Sequence, residues 1–223
     1  VRGNVILEGK DIDDANPRGW GMWFANIKSG RVSHNVIANS VGHYPIAMTL
    51  DGNHEGDEHA SIGVRDLVVE RNIFFNWGVQ LRIDGNAAEI RDVELRKNDF
   101  QDAHTFDPLV EHLSSDSVAG VDSAANRFYS PLGLPAWIHV GAGIESILAW
   151  MAHVGDTTSI SLAVPYVDPD RSLATYGATL GAAPSLHAFL AEAREQGRTH
   201  WQVDYTAPRV NRYLRLGFQV SGQ

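Results

Sequence analysis

Two groups of residues in this 223-residue chain have the types and spacing to do chemistry. One is the stretch Asp51-Gly52-Asn53-His54-Glu55-Gly56-Asp57-Glu58-His59, which packs four acids and two histidines into nine residues. Its carboxylates, with Asp51, Asp57 and Glu58 foremost, are hard oxygen ligands that suit Ca2+; a histidine-richer subset would suit zinc. No spacing here matches a dedicated metal motif, and a solvated polar turn is the competing reading. The other group recurs at matching places in separate segments: Arg82, His112 and His139, with Asp51 and Asp84 beside them.

Two reactions fit that second group. Elimination across a uronic acid needs a cation to neutralise the carboxylate, a base to take the C5 proton, and an acid for the leaving oxygen. Arg82 suits the first task as a fixed, forked cation, and His112 or His139 suits the second because imidazole titrates near neutral pH. Hydrolysis of a glycosidic bond instead needs two carboxyl groups, about 5–5.5 Å apart for retention or about 6.5–9.5 Å for inversion. Asp51 and Asp84 fall in equivalent Asp-Gly-Asn turns, so they are the candidate pair. The same turns also have a purely local explanation, since Asp bonds its own backbone there. Gln80 and Trp137, together with His54 and His59, are placed to line a substrate.

The elements that must position these residues are legible as repeats. Ile46-Ala47-Met48-Thr49-Leu50-Asp51-Gly52-Asn53 matches Val79-Gln80-Leu81-Arg82-Ile83-Asp84-Gly85-Asn86 position by position. Leu109 to Ser114 and Ala136 to Gly141 continue the pattern more loosely. Apolar residues alternate with period two, as in strands with one buried face. The alignment stacks Thr49, Arg82, His112 and His139 in one column, Gln80 and Trp137 in a second, and Asp51 and Asp84 in a third.

A second phrase, an apolar residue followed three places on by Asn and a hydrophobic pair, recurs at Asn4, Asn35, Asn72, Asn98 and Asn126, at separations of 31, 37, 26 and 28 residues. An irregular period of this size signals a solenoid, whose units bury their apolar faces only by stacking. Asn tolerates a left-handed backbone and makes sharp corners. Corners stacked at strand spacing, roughly 4.8 Å, would let the amides bond one another in a ladder. These asparagines are therefore corners of a right-handed parallel β-helix of about four to five coils rather than catalytic groups.

Hydrophobic residues make up 43% of the chain, enough for a sizeable core, and 21 glycines suit a turn-rich β architecture. The absence of cysteine excludes disulfides and thiolate chemistry. A net charge of −9 argues against nucleic acid or an anionic membrane as partner. No stretch is long and apolar enough to span a membrane. Val1 falls inside what reads as a strand, so the expectation is a chain that starts mid-solenoid, with N-terminal coils of the same protein preceding it.

The pattern changes near residue 143, dividing the chain into coils over 1–142 and a mixed α/β capping tail over 143–223. Gly143 to Met151 has helical apolar spacing, and Ser159 to Pro165 reads as a strand. Pro184 to Ala193 is an amphipathic helix, and Thr206 to Leu214 is another, with Thr206 as N-cap and Gly217 past its end. Trp20, Trp23, Phe24, Tyr44 and Trp77 fall near turns and include candidate sugar-stacking aromatics, whereas Trp150 and Trp201 read as packing residues.

The Asn corners and the tail Trp150-Met-Ala-His-Val-Gly155-Asp156-Thr-Thr-Ser159, followed by Tyr166-Val167-Asp168-Pro169-Asp170, resemble bacterial right-handed parallel β-helix proteins of the pectate-lyase-like superfamily. The resemblance implies an all-β solenoid forming the C-terminal part of a larger protein, secreted, periplasmic or at the cell surface. It implies a polysaccharide or oligosaccharide partner. Lyase action on a uronic-acid polymer is favoured, with glycoside hydrolase next. A non-catalytic adhesive β-helix and a uronan C5-epimerase are the alternatives, because fold alone does not choose among them.

Overall fold

The computed structural model describes residues 1–7, 20–40, 46–52, 62–103, 107–131 and 137–221. They form two compact units, Val1–Val164 and Pro165–Gln223. In the first unit short strands follow one another in sets. β1 (Val5–Leu7) stands first. Three sets of three follow: β2 (Trp20–Ala25), β3 (Lys28–Ser33) and β4 (Val36–Ala38); β5 (Ile46–Asp51), β6 (Val64–Glu70) and β7 (Ile73–Phe75); β8 (Val79–Asp84), β9 (Ile90–Arg96) and β10 (Asp99–Gln101). Next come β11 (Val110–His112), a 3-10 helix (Ser115–Gly120), β12 (Val121–Ala124) and β13 (Arg127–Tyr129). β14 (Ile138–Val140), β15 (Gly143–Glu145), helix α1 (Ile147–His153) and β16 (Ile160–Ser161) complete the unit.

Equivalent strands of successive sets lie side by side. They make three sheets in the orders β1-β4-β7-β10-β13-β16, β2-β5-β8-β11-β14-β15 and β3-β6-β9-β12. The described pairings are parallel except for β14 with β15. The unit is thus mostly β, three largely parallel sheets of stacked strands, an arrangement compatible with a β-helix-like solenoid. The change of pattern at residue 143 lies inside this unit, where β15, α1 and β16 follow the last full set.

Register turns the sequence repeats into columns. Met48 lies opposite Leu81 and Leu50 opposite Ile83, while Val32, Val69 and Leu95 align across three strands. Phe74, Phe100 and Phe128 stack in parallel with centroids 5.0 Å apart at each step, and Trp150 of α1 meets Phe128 edge-on at 5.7 Å. All four rings are fully buried. Aromatic rings repeated at strand spacing have this offset-stacked geometry available at no cost to the backbone.

The asparagines form a continuous ladder. The Asn35 backbone N–H and side-chain amide both donate to Asn72 Oδ1, at 3.0 and 2.8 Å. Asn72 donates likewise to Asn98 at 3.0 and 3.0 Å, and Asn98 to Asn126 at 2.8 and 3.1 Å. Asn4 begins the series on Asn35. The second amide hydrogens of Asn72, Asn98 and Asn126 reach the carbonyls of Val32, Val69 and Leu95. The sharp turn itself belongs to a different residue than expected. Positive φ occurs at His34, Arg71, Lys97 and Ala125, each directly before a ladder Asn, and not at the ladder asparagines themselves. The Asn is selected for its amide, which satisfies buried donors that the corner leaves over.

The ladder ends on a charge. Asn126 N–H donates to Ser159 Oγ at 2.8 Å, and that hydroxyl donates to Asp156. Asp156 also accepts from Ser123 Oγ at 2.6 Å and from the Thr158 and Ser159 amides at 2.8 and 2.9 Å. Burial pushes the Asp156 carboxyl up, but these hydrogen bonds outweigh it and hold it below its ordinary value. The Trp150…Gly155-Asp156…Ser159 segment therefore closes both internal stacks, Trp150 the aromatic one and Ser159 with Asp156 the amide one.

In the second unit, α2 (Leu173–Thr179), α3 (Leu186–Arg194) and α4 (Ala207–Gly217) surround an aromatic cluster. Tyr176 lies 6.1 Å from Phe189 and 5.1 Å from Tyr213, and Phe189 lies 5.5 Å from Tyr205. Ser172 and Thr175 form a capping box on α2, and Ser185 caps α3. Two expectations change here. The Thr206 hydroxyl donates to the Val203 carbonyl instead of capping α4. Gly217 sits inside the last turn, where an added Cβ would come within 2.2 Å of the Asp168 carbonyl oxygen. Among the described residues no helix is long and apolar enough to cross a membrane.

Replacing Asn72 by Ala leaves the Asn35 N–H and the Asn35 side-chain amide without their acceptor and takes a donor from the Val32 carbonyl in the interior. The expected cost is about 3 kcal/mol, measured by denaturant unfolding. Asn4→Ala at the exposed start of the ladder should cost under about 1 kcal/mol. Equal costs at the two positions would contradict the ladder's structural role.

Candidate functional site

The sheet containing β5, β8, β11 and β14 turns alternate residues away from the core. In β8, Leu81 and Ile83 are buried with no exposure, while Arg82 and Asp84 are partly exposed. Register places Trp23, Thr49, Arg82, Glu111 and His139 opposite one another across five strands. A neighbouring column carries Ala25, Asp51 and Asp84. Arg82 and His139 thus share a column, as the sequence pattern indicates, and Asp51 and Asp84 sit one strand apart, roughly 4.8 Å at the backbone.

His112 does not join them. It lies opposite Ile83 and Val140, in an inward column, and Glu111 takes the place assigned to it. The histidine is fully buried. Trp150 Nε1 donates to His112 Nε2 at 3.0 Å, which leaves Nδ1 to carry the proton and donate to Ser117 Oγ at 2.8 Å. That hydroxyl in turn donates to the Ser114 carbonyl at 2.8 Å. Burial lowers the His112 pKa to about 4. A neutral imidazole with both nitrogens engaged inside the core is a structural group, out of reach of a substrate on the outer face. The one-residue error has a simple origin: β11 is only three residues long, too short for alternation to set its phase.

Arg82 is committed to Glu111, with Nε 2.7 Å from Oε2, and both side chains are largely shielded from solvent. Asp51 is 5% exposed, and Trp23 Nε1 donates to its Oδ2 at 3.0 Å. Asp84 stands apart. Asn86, not Asp84, organises the turn, since its Oδ1 accepts from Ala88 N–H at 2.8 Å while Glu89 accepts from Asn86 N–H at 2.8 Å. Burial, then the charge of Asp51, raise the Asp84 pKa; Glu89 and Glu111 add to the effect and Arg82 opposes it. Asp84, Gly85, Asn86, Glu89, Leu113 and Ser114 line an open depression of about 260 Å³. A carboxyl that holds its proton to higher pH and faces a depression is suited to donate it.

The remaining candidates separate. Gln80 and Trp137, one residue ahead of Leu81 and Ile138, which both pair with Val110, are both buried. Gln80 Nε2 donates to the Gln101 carbonyl at 2.6 Å, and Trp137 packs edge-on against Tyr129 at 6.3 Å. His54, Asp57, Glu58 and His59 lie outside the described residues, as does Tyr44. Among the described residues no three His, Asp or Glu side chains converge in the manner of a metal site. Of the aromatics, Trp20 and Trp23 are 42% and 45% exposed, whereas Trp77 is fully buried. Trp201, expected to pack, is 66% exposed, and Trp150 packs as expected. Sequence reasoning missed Glu111, Glu89 and the Trp23–Asp51 bond; it reached Trp23 only as an aromatic near a turn.

Comparison with protein-family models, with curated proteins and with solved structures found no match to this chain.

Two pH responses follow. His112 is protonated more readily in the unfolded chain, near 6.5, than in the folded one, near 4. Its contribution is therefore intact above pH 6.5 and lost as pH falls towards 4, by about 3 kcal/mol in full. His112→Gln should flatten the stability profile in that window, read by chemical unfolding at a series of pH values. Asp84 behaves oppositely: its raised folded pKa means that ionisation costs stability as pH rises. Asp84→Asn should raise the neutral-pH Tm and lose that advantage in acid; a lowered Tm at neutral pH would refute the account of Asp84.

Proposed function

We propose that this chain is a carbohydrate-active solenoid whose outer-face acid pair, Asp51 and Asp84, hydrolyses a glycosidic bond. The observation that carries the reading is the register: two carboxylates directly opposite on adjacent strands, one of them with a raised pKa above an open depression. Asp84 is the proton donor to the glycosidic oxygen. Asp51, with one oxygen held by the Trp23 indole, is the carboxylate that attacks the anomeric carbon or draws a proton from water, according to the separation of the two groups. A rigid sheet fixes the spacing of the two groups, which is most of what such catalysis needs from its scaffold.

The winding is proposed to be that of a right-handed parallel β-helix of the pectate-lyase-like kind, acting outside the cell. Support comes from the strand orders, the Asn ladder and the strong preference of parallel crossovers for the right hand. The lyase reading keeps one specific observation in its favour, the shared column of Arg82, Glu111 and His139. It is weakened by the burial of His112 and by the pairing of Arg82 with Glu111, which leaves less of that cation for a substrate carboxylate.

Incubation with a panel of neutral and uronic-acid polysaccharides tests this directly. New reducing ends without an unsaturated chromophore are expected, falling by about 10²-fold or more in Asp84→Asn with the fold intact by circular dichroism. Appearance of the chromophore would replace hydrolysis by elimination. Binding without either product would make the solenoid a non-catalytic glycan adhesin.

A further inference from the structure

We propose that the Asn corner carrying Arg71 and Lys97 binds an acidic polysaccharide, one with a carboxylate or sulfate on each repeating unit. The inference does not rest on hydrolysis, and it concerns a different sheet from the acid pair. Of the Lys and Arg residues described in the first unit, only Arg82 and Arg127 lie away from the β3-β6-β9-β12 sheet, the Arg2 bridge to it and the turns that follow its strands. The chain as a whole carries a charge of −9, so this gathering of cations runs against the overall balance.

The corner position is a second, independent sign. Arg71 and Lys97 hold left-handed backbone, with φ of 53° and 55°. Gly or Asn fills such a place at least cost, and Gly3 does so at the first corner. Glu70 pairs with Arg96, and Arg71 N–H donates to the Arg96 carbonyl at 3.0 Å, so the two corner cations follow adjacent strands, roughly 4.8 Å apart at the backbone. Like charges so placed add repulsion to the strain. Both side chains are exposed, and among the described residues neither forms an ion pair. Arg31 and Arg96 are exposed beside them, with Arg31 Nη1 2.6 Å from Glu70 and Arg96 Nη2 2.8 Å from Glu94. The acids of the preceding rows are thus engaged, while Asp66 and Asp92 lie towards the opposite ends of β6 and β9. Asp122, beside Glu94, is the exposed acid left on this side.

Charge spacing selects the ligand class. The corner offers one cation per strand step, at intervals of roughly 4.8 Å. A linear glycan with one anion per sugar presents charge at a comparable interval, and the Arg71 fork suits a planar carboxylate. Duplex DNA is far denser, with one charge per 1.7 Å or so of its axis, and the net charge of −9 repels it. A broad anionic surface such as a lipid leaflet meets the same repulsion. A single polymer chain can follow the corner and stay clear of the acids elsewhere.

Affinity electrophoresis of the full chain through gels containing polygalacturonate or chondroitin sulfate, against gels with a neutral β-glucan, decides the matter. A mobility-shift assay on a DNA duplex and co-sedimentation with phosphatidylserine vesicles run alongside. Retardation by at least one acidic glycan is expected, fading as salt rises towards about 1 M. The double variant Arg71→Asn, Lys97→Asn should lose about tenfold in affinity. Because Asn tolerates the left-handed corner, that variant should keep the wild-type Tm, which separates lost binding from lost fold. Arg209→Gln with Arg212→Gln removes two exposed cations from α4 of the other unit and should bind as the wild type does. No retardation by either acidic glycan, equal retardation by the neutral one, undiminished binding by the folded corner variant, or tighter capture by DNA or vesicles would overturn the proposal. Asp84→Asn should bind normally, so corner-dependent binding in a wild type that cleaves nothing would sink hydrolysis and leave this site standing.

Discussion

A corner turned inside a stack of strands leaves backbone donors and acceptors that no sheet can take up, and in this molecule the buried asparagine ladder takes them up. Each amide accepts from the previous Asn twice, through the backbone N–H and the side chain, and donates to the next. No other side chain of that size offers an acceptor and two donors on one planar group. The constraint is strict because an unsatisfied polar group inside costs about 1–3 kcal/mol. It sets the stacking interval, and with it the overlap of Phe74, Phe100 and Phe128 and the alignment of the aliphatic columns.

A ladder of dipoles also needs ends. At one end the donors of Asn126 and Ser159 finish on the Asp156 carboxylate, whose pKa hydrogen bonds from Ser123, Thr158 and Ser159 hold down despite burial. The same short segment sends Trp150 into the interior to meet both Phe128 and His112. Helix α1 and the residues that follow it thereby close the amide stack and the aromatic stack and engage the buried His112 imidazole. The polar groups inside the stacked sheets serve satisfaction and packing.

The outer face follows different rules on the same backbone. The strand register that aligns Leu50 with Ile83 inside aligns Asp51 with Asp84 outside, so the core dictates where the acids meet. Their mutual repulsion is not relieved by a turn bond to Asp84, and the raised pKa of that group records the cost. Asp51 is steadied by Trp23, and Arg82 by Glu111. Burial and like charge at one register, only partly offset by Arg82, set Asp84 apart from the other carboxylates of this face.

The sequence by itself determined the period, the identity of the stacked asparagines and the inward aliphatic columns, because each is a local pattern repeated several times and therefore over-determined. It also determined that Asp51 matches Asp84, since the two segments carrying them are alike over eight residues. Tertiary structure alone decided the phase of β11, where three residues hold too little alternation to choose between Glu111 and His112 for the outer column. It decided that the left-handed corner falls on the residue before each Asn, a matter of backbone geometry that composition does not express. It decided, too, that Trp77 and Trp137 are buried while Trp20, Trp23 and Trp201 are not. Exposure of a large ring depends on which chain segments pack over it, and those partners lie tens of residues away along the chain, beyond the reach of any periodic signal.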